Sequence, residues 1–337
     1  MAIKIGINGF GRMGRLTFRA AFGSEQLEFV QINDVGGDAH TLAHLLTFDS
    51  VQGRWPVPVY ADCESIVVDG QSIAYSHEKH IDAVDWSNCD IVLDATGVHK
   101  TVASLNRYLA MGVKRVVVSS PVKDPSVLNV VMGVNDHLYQ ADKKHRIVTA
   151  ASCTTNCIAP VIKAMKMAFT IDQIAFTTIH DITNTQTILD APHKDLRRAR
   201  ACGMSLIPTT TGSAKAVVDI FPELNSKIDG HAVRVPLANA SMTDIVFNLQ
   251  ETVTAKQVNK VLQAASQSED LLGVLGYEER PLVSIDYLGD ARSSIVDALS
   301  TMVINQNMVK VYAWYDNEWG YASRTADLIR KVAAMEP

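Results

Sequence analysis

The amino-acid sequence predicts an α/β fold of two domains, the first built on a parallel sheet and the second on a mostly antiparallel sheet. From Ile3 to about residue 150, short apolar strands alternate with helical patterns, which is typical of a parallel sheet with helices on both faces. After Cys153 the pattern changes to long alternating or apolar runs, which favours an antiparallel sheet with helices on one side. The chain has 337 residues, enough for two domains of ordinary size.

The elements of the first domain follow from local signals. Ile3, Ile5 and Ile7 predict a strand that leads into a glycine-rich turn, and a helical pattern follows over residues 13–22. Asp38 is placed to cap a helix that carries Leu42, Leu45 and Leu46. The remaining predicted elements are strands over residues 28–32, 90–94, 115–119 and 146–149 and a helix over residues 102–111 that ends at Gly112.

The second domain is predicted from extended runs separated by few helices. A helix begins near Cys153, and only one clear helix, over residues 255–265, interrupts the later runs. The predicted strands cover residues 174–182, 233–235, 243–249, 282–287 and 309–314. The last helix, over residues 320–334, has one stripe of small and apolar side chains. Because no Pro- or Ser-rich linker is present, the boundary near residue 152 depends on this change of pattern.

Composition and charge exclude several classes of protein. Apolar residues make up 47% of the chain and charged residues 20%, so wholesale disorder is not expected. The net charge of −5 gives no electrostatic reason to expect nucleic acid as a partner. No apolar run approaches the roughly 20 residues of a membrane span. The N-terminal residues lack the apolar core of a signal peptide, so we expect a cytoplasmic protein.

The five cysteines fit reduced thiols better than a disulfide framework. They are odd in number and scattered along the chain, and no dense Cys and His set with zinc spacing accompanies them. We therefore expect no metal site. A packing role is the expectation for Cys63, Cys89, Cys157 and Cys202.

A glycine motif predicts dinucleotide binding. Gly9, Gly11 and Gly14 form G-x-G-x-x-G after a predicted strand and at the start of a helix, and Asp34 ends the next strand 20 residues after Gly14. Such glycines let the backbone approach a pyrophosphate at a helix N-terminus, and the carboxylate accepts hydrogen bonds from a ribose diol. Turn glycines with a capping Asp are the alternative, but the combined context favours a cofactor. Asp34 would repel a 2′-phosphate, which favours NAD over NADP.

A cysteine and a histidine form a candidate catalytic pair. Cys153 lies at a predicted helix start rich in capping residues, where the helix dipole lowers a thiol pKa. His180 ends an alternating strand. A lone His is more often structural, but a reactive thiolate elsewhere makes it a candidate base, because such pairs are distant in sequence and adjacent in the fold.

A further group of residues has the chemistry of anion binding. The segment from Thr209 to Gly212 offers hydroxyl and backbone N–H groups before a helix, and Arg234 lies in Arg-Val-Pro. Arg197, Arg198 and Arg200 form a basic cluster, which by itself is more typical of a solvated or subunit-facing surface.

Four segments, in this order and spacing, resemble phosphorylating glyceraldehyde-3-phosphate dehydrogenases: INGFGRMGR, ASCTTNCIAP, IPTTTGSAKAV and WYDNEWGY. The resemblance extends from Ile3 to the last helix. It implies a homotetramer whose subunits have a Rossmann-type NAD-binding domain (residues 1–152) and a catalytic domain (residues 153–318). It also implies that the C-terminal helix, residues 319–337, packs back on the NAD-binding domain. A long loop over about residues 181–208 would reach a neighbouring subunit's cofactor.

The resemblance assigns roles residue by residue. Cys153 matches the nucleophile and His180 its base. Cofactor-binding matches, besides Gly11, are Arg12, Met13, Asp34, Lys79, Ser119 and Asn317. Matches for the substrate's own phosphate are Thr183, Thr185 and Arg234, and those for the attacking phosphate are Ser152, Thr154, Arg198, Thr211 and Gly212. The implied reaction oxidises glyceraldehyde 3-phosphate with inorganic phosphate to 1,3-bisphosphoglycerate through a Cys thioester.

The sequence also departs from the family pattern. His180-Asp181-Ile182 replaces the usual His-Ala-Tyr or His-Ser-Tyr, and Leu237-Ala238 replaces Thr-Pro after Arg-Val-Pro. Gly36-Gly37 and Ala191-Pro192 share features with NADP-using branches, so NADP stays open as a cofactor. The whole pattern resembles the branch encoded beside bacterial arsenic-resistance transporters, in which arsenate would replace phosphate and give 1-arseno-3-phosphoglycerate.

Other functions stay open on the residues alone. An erythrose-4-phosphate dehydrogenase shares the fold and the Cys and His pair. A binding protein without turnover is a second alternative, against which the presence of Cys153, His180, Asp34 and Arg234 argues. Semialdehyde dehydrogenases also pair a Cys with a His, but two anion sites fit a phosphorylated aldehyde better.

Overall fold

The computed structural model describes residues 2–141 and 145–336. The chain divides into two compact units. Unit 1 comprises Met1–Met132, Asp136–Ala151 and Ala322–Pro337, and unit 2 comprises Gly133–Asn135 and Ser152–Tyr321. The sheets of these units confirm the predicted α/β class. The final residue of the predicted C-terminal helix, Pro337, lies outside the described residues.

Unit 1 is built on a nine-stranded sheet. Its elements are β1 (Ile3–Asn8), α1 (Arg12–Ala21), β2 (Leu27–Asn33), α2 (Ala39–Thr47), β3 (Val59–Ala61), β4 (Ser65–Val68), β5 (Gln71–Ser76), β6 (Ile91–Asp94), α3 (Val102–Ala110), β7 (Arg115–Val118), β8 (Leu128–Asn129) and β9 (Ile147–Thr149). The described strands lie in the order β3-β4-β5-β2-β1-β6-β7-β9-β8. All pairings from β5 to β8 are parallel. The loops after these strands therefore share one edge of the sheet, where open α/β sheets bind ligands.

The sequence patterns do not predict β3, β4 and β5. In this edge hairpin β4 runs antiparallel to both of its neighbours. Asp69 and Gly70 connect β4 to β5 with φ angles of 49° and 81°. An Asp-Gly pair favours this turn because both of its central residues need a positive φ.

Two helices of unit 1 begin at capping side chains, of which the one at Asp38 is predicted from the sequence. The Asp38 carboxylate caps α2 by accepting a hydrogen bond from the Thr41 N–H at 2.8 Å. Leu42 and Leu46 are buried on the inner face of α2, whereas Leu45 is exposed. The Thr101 hydroxyl caps α3 in the same way, accepting from the Ser104 N–H at 3.2 Å.

Unit 2 is built on a seven-stranded sheet. Its elements are α4 (Cys153–Lys166), β10 (Ile171–His180), β11 (Ile207–Thr210), α5 (Ser213–Ile220), β12 (Ile228–Arg234), β13 (Ser241–Leu249), α6 (Ala255–Ser266), β14 (Leu275–Glu278), β15 (Ser294–Ile304), β16 (Met308–Tyr315) and the start of α7 (Trp319–Ala334). The order of the described strands is β11-β12-β10-β13-β16-β15-β14. The β12–β10 and β14–β15 pairs are parallel. The other pairs are antiparallel, as predicted for this domain.

Three sequence expectations for unit 2 are wrong. The apolar run over residues 282–287 is not a strand, because Asp286 accepts a hydrogen bond from the Val283 N–H at 2.9 Å and Ser284–Tyr287 forms a 3₁₀ turn. A second helix, α5, interrupts the strands besides α6. The strand predicted to reach residue 182 ends at His180, so Asp181 already belongs to the following loop.

The C-terminal part of α7 contacts other segments of unit 1. The Arg330 side chain donates to the Ala20 carbonyl oxygen at 2.6 Å, and Lys331 forms an ion pair with Asp136 at 2.7 Å. Arg115 and Glu336 form a further ion pair at 2.7 Å. The predicted stripe of α7 is buried, and its members are Ala322, Ala326, Ile329 and Ala333.

Candidate active site

The glycine turn after β1 needs glycine at two positions for steric reasons. Gly9 has a φ of 90°, and a Cβ there would lie 2.5 Å from the Thr96 nitrogen. A Cβ on Gly14 would lie 2.1 Å from the Gly9 carbonyl oxygen. The absence of a side chain at Gly14 therefore lets α1 approach the turn closely. A Cβ on Gly11, the N-cap of α1, would meet nothing within 4 Å. The turn therefore leaves open space at a helix N-terminus, the geometry that accepts a pyrophosphate.

Asp34 lies beside this turn and is held in a fixed orientation. Its Oδ2 accepts from the Phe10 N–H at 2.5 Å, and its Oδ1 accepts from the Gly36 N–H at 2.6 Å. Arg12 and Met13 form the first turn of α1, and the Arg12 guanidinium pairs with Asp49 at 2.8 Å. The turn and the carboxylate together fit the pyrophosphate and the ribose of NAD.

Lys79 and Ser119 lie at the same carboxyl edge of the parallel sheet. Lys79 is exposed, three residues after β5, and the preceding Glu78 N–H donates to Asn33 Oδ1 at 2.9 Å. Ser119 directly follows β7, and its N–H donates to the Asp94 carbonyl oxygen at 2.9 Å. The topology therefore brings the predicted cofactor residues of unit 1 to the carboxyl edge of its parallel sheet. Asn317 is the one predicted cofactor residue that belongs to unit 2.

In unit 2, Cys153 is the first residue of α4. Ala151 adopts a left-handed φ of 54°, and Ser152 caps the helix by accepting from the Thr155 N–H at 3.1 Å. This turn directs the Cys153 side chain toward the end of β10. Its Sγ lies 3.6 Å from Nε2 of His180, although the two residues are 27 positions apart.

The surroundings of this pair favour a thiolate beside an imidazolium. Burial opposes ionisation of Cys153, but the hydrogen bond from His180 and the charges of His180 and Arg234 lower its pKa overall. Burial also opposes the charged form of His180. Hydrogen bonds to Asp181 and Cys153 outweigh burial and raise the His180 pKa to about 9.

Asp181 is a site residue that the sequence analysis does not identify. Its Oδ1 lies 2.8 Å from Nδ1 of His180, and its main-chain oxygen lies 2.9 Å from the same nitrogen. Strand alternation would place residues 180 and 181 on opposite faces of the sheet. Because β10 ends at His180, the chain turns and this rule no longer holds. The only sequence signal is the carboxylate directly after the candidate base.

A buried tyrosine lies behind the pair. The Tyr315 hydroxyl is within 3.1 Å of Thr154 Oγ1 and 2.8 Å of Thr178 Oγ1. Burial raises the pKa of Tyr315 well above its usual value, so the hydroxyl stays neutral. The Thr154 hydroxyl is thus directed into the protein interior, onto Tyr315.

The predicted anion-binding residues form separate local groups. Arg234 is the register partner of His180 on β12, and its Nη1 lies 2.6 Å from Nδ1 of His180. Thr183 and Thr185 are joined through their hydroxyls at 2.9 Å in the loop after β10. The other contacts are Arg198 to Thr209 at 2.8 Å and Thr211 to Ser213 at 3.0 Å, with Gly212 as the N-cap of α5.

Asn317 is buried in the turn between β16 and α7. Its Oδ1 accepts from the Ser241 hydroxyl at 2.9 Å.

Within residues 2–141 and 145–336, no group of three or more His, Cys, Asp and Glu side chains is arranged to hold a metal ion. None of the helices in those ranges is long and apolar enough to cross a membrane.

Comparison with known proteins matches both parts of the chain to one family. The model described as the glyceraldehyde 3-phosphate dehydrogenase NAD binding domain matches residues 3–102, and that of the C-terminal domain of the same family matches residues 152–317. A relative from Nostoc sp., glyceraldehyde-3-phosphate dehydrogenase 3, is 56% identical over 335 residues and 99% of both chains. A Priestia megaterium glyceraldehyde-3-phosphate dehydrogenase is 48% identical over 99% of both chains. Glyceraldehyde-3-phosphate dehydrogenase 1 of Bacillus cereus is 50% identical over 96% of this chain and 97% of its own.

Proposed function

Because the chain belongs to the glyceraldehyde 3-phosphate dehydrogenase family and uses NAD as its cofactor, we propose that Cys153 and His180 are the catalytic residues of an aldehyde oxidation. The substrate is glyceraldehyde 3-phosphate, and the product with inorganic phosphate is 1,3-bisphosphoglycerate. The 3.6 Å contact between Cys153 Sγ and His180 Nε2 is the observation that carries this proposal. The same reading makes residues 1–152 the NAD-binding domain and residues 153–318 the catalytic domain.

The first step is attack by the Cys153 thiolate on the aldehyde carbon. The sulfur electron pair forms the C–S bond, and the carbonyl oxygen gains the negative charge. The Nε2–H of His180 and the main-chain N–H of Cys153, at the start of α4, stabilise this oxygen. NAD, which the glycine turn and Asp34 would hold, would supply the hydride acceptor for this carbon. The Nε2–H of His180 gives its proton to this oxygen, and His180 takes the proton back as the loss of the hydride leaves a thioester on Cys153.

Two sets of residues bind the two anions. Arg234, Thr183 and Thr185 hold the phosphate of the substrate. Arg234 is the last residue of β12, and the two threonines lie in the loop after β10. The attacking anion binds to the second set, which consists of Ser152, Thr154, Arg198, Thr211 and Gly212. Thr154 contributes its main-chain N–H there, because its hydroxyl contacts Tyr315. Attack on the thioester carbon breaks the C–S bond and restores the thiolate.

Arsenate serves as a second attacking anion in this proposal. Phosphate and arsenate are tetrahedral oxyanions of similar charge, so one pocket of hydroxyls and an arginine accepts either. The departures at Asp181 and at Leu237-Ala238 support membership of the arsenic-resistance branch. Steady-state rates with phosphate or arsenate as the acceptor, with product identification, test this step. A strong preference for phosphate over arsenate would contradict it.

A homotetramer is the assembly that we propose. In the loop after β10, several large apolar side chains are between 69% and 85% exposed, and a concentration of exposed apolar side chains is typical of a protein–protein contact surface. They are Ile188, Leu189, Leu196, Met204 and Leu206. Sedimentation equilibrium tests the assembly, and a monomer at micromolar concentration would contradict it.

The free cysteines support a cytoplasmic location.

A single assay tests the proposed activity. NADH formation is measured with glyceraldehyde 3-phosphate and with erythrose 4-phosphate, each in the presence of phosphate. We expect the higher kcat/KM with glyceraldehyde 3-phosphate. A higher value with erythrose 4-phosphate would assign the chain to that alternative substrate, and no turnover of either aldehyde would favour a binding protein.

A further inference from the structure

We infer that Asp181 is a positioning residue for the catalytic base, which holds His180 in the orientation and tautomer that keep Cys153 ionised. This inference rests on the proposed function of Cys153 and His180. Two contacts to the His180 ring support it: Cys153 Sγ lies 3.6 Å from Nε2, and Asp181 Oδ1 lies 2.8 Å from Nδ1. The three side chains thus form a cysteine–histidine–aspartate triad.

The two Asp181 oxygens around Nδ1 favour a proton on this nitrogen. Two oxygens of Asp181 lie within 2.9 Å of Nδ1, and both can only accept hydrogen bonds. A proton on Nδ1 therefore satisfies them. The Arg234 guanidinium, which can only donate, lies 2.6 Å from Nδ1 and opposes this proton, but it has its own acceptor in the Asp181 main-chain oxygen at 3.0 Å. With Nδ1 protonated, Nε2 is the nitrogen that exchanges a proton with Cys153.

The Asp181 carboxylate in turn depends on His180. Asp181 is 1% exposed, and its Oδ2 has no hydrogen-bond partner among residues 2–141 and 145–336. Ser241 Oγ, which has one proton to donate, lies 2.9 Å from Asn317 Oδ1 and 3.4 Å from Asp181 Oδ1, so Asn317 is the better acceptor. A buried carboxylate with so few donors is costly unless a cation faces it. The His180 imidazolium is that cation.

The proton balance of the triad is simple. The S–H bond of Cys153 breaks, the electron pair stays on Sγ, and the proton forms the Nε2–H bond of His180. The Nδ1 proton remains on the ring and is donated to Asp181. The ionisable groups that face His180 are Cys153 from α4, Arg234 from β12, Tyr315 from β16 and Asp181 itself. Only Cys153 and Asp181 favour the imidazolium, because Arg234 opposes it and Tyr315 is neutral.

The direct and the indirect effects of Asp181 on Cys153 have opposite signs. The charge of Asp181 by itself raises the Cys153 pKa, whereas the protonated His180 that it supports lowers that pKa. Removing the carboxylate would therefore lower the thiol pKa if only the direct field mattered. It would raise the thiol pKa if Asp181 acts through His180. The direction of the shift distinguishes the two.

The test is the pH dependence of Cys153 alkylation by iodoacetamide, measured on the full-length chain without substrate. The variants are Asp181→Asn, which keeps the shape, and Asp181→Ser, a smaller side chain in case the amide disturbs folding. Asp172→Asn is the matched control, because Asp172 lies in the same strand, about 26 Å from His180. Binding of NAD and the circular dichroism spectrum are followed in each protein.

We expect both Asp181 variants to shift the alkylation midpoint upward by about one pH unit or more, with a roughly tenfold slower rate at pH values below the parent's midpoint. The Asp172→Asn profile should match the parent. The aldehyde KM of the Asp181 variants should change less than about twofold, while kcat falls. An unchanged or downward-shifted midpoint in a variant that still binds NAD would overturn the inference. Because alkylation needs no substrate, an inactive parent would contradict only the proposed function.

Discussion

His180 and Arg234 are direct register partners on the parallel strands β10 and β12, and Nη1 of Arg234 lies 2.6 Å from Nδ1 of His180. No local sequence pattern brings these residues together, because 54 positions separate them. The register places a fixed positive charge beside the candidate base and near the candidate thiolate. Arg234 is therefore placed both to bind a phosphate and to influence the catalytic pair.

This position leads to a kinetic prediction for Arg234. We expect Arg234→Ala to raise the KM for glyceraldehyde 3-phosphate, because a charge-assisted hydrogen bond to a phosphate contributes about 1.5–3 kcal/mol. It should also lower kcat, since the Arg234 charge helps to lower the Cys153 pKa. Steady-state kinetics with varied aldehyde measure both effects. An unchanged aldehyde KM would remove Arg234 from the substrate site.

Thr211 provides the complementary variant. It lies at the start of α5, where its Oγ1 accepts from the Ser213 N–H at 3.2 Å. We expect Thr211→Ala to raise the KM for phosphate and arsenate alike and to leave the aldehyde KM near the parent value. If phosphate alone is affected, arsenate binds elsewhere. If only the aldehyde KM changes, the division of these residues into two anion sites is wrong.

Asp34 should govern the choice between NAD and NADP. We expect Asp34→Gly to weaken NAD and to improve NADP relative to the parent, because it removes the ribose acceptor and the charge that opposes a 2′-phosphate. Asp34→Asn, which removes the charge but keeps one acceptor oxygen, should show a smaller change. The measurement is kcat/KM for both cofactors. An unchanged ratio would show that another element sets the choice.

The glycine turn allows a matched pair of variants. We expect Gly14→Ala to destabilise unit 1 by about 1–3 kcal/mol, because its Cβ would collide with the Gly9 carbonyl oxygen. The Cβ of Gly11→Ala would extend into open space, so this variant should keep the parent's stability. It should bind NAD more weakly, because the Cβ occupies the space that the pyrophosphate approaches. Thermal unfolding and NAD titration separate the two effects. Equal melting temperatures for the two variants would contradict the steric account.

The sequence predicts those elements whose signals are local. The α2 cap at Asp38 and the close approach of Gly14 to Gly9 depend on contacts within a few residues, and the structure has both. The β4–β5 hairpin also had a local signal, Asp69-Gly70, but its strands are short and pair at the sheet edge. The 3₁₀ turn at Ser284–Tyr287 is missed because hydrophobicity alone does not distinguish an apolar turn from a strand.

The candidate site could be predicted by residue type but not by geometry. Cys153 and His180 follow from a helix start and a strand end. Their 3.6 Å contact requires that α4 begins beside the end of β10. No local sequence pattern predicts this placement. Asp181 is missed because a periodicity of two applies only while the strand continues. Once β10 ends, the direction of the next side chain is set by tertiary contacts, here with His180 and Ser241.

The central claim, that Cys153 forms the acyl intermediate, is tested by trapping that intermediate. The protein is mixed with glyceraldehyde 3-phosphate and NAD without phosphate or arsenate, and the acyl adduct is located by mass spectrometry. Cys157→Ser is the matched control, because Cys157 lies one helical turn further along α4 and burial raises its pKa to about 12. We predict one adduct per chain in the parent and in Cys157→Ser, and none in Cys153→Ser, which should still bind NAD. An adduct that persists in Cys153→Ser, or that disappears in Cys157→Ser while NAD still binds, would contradict the assignment.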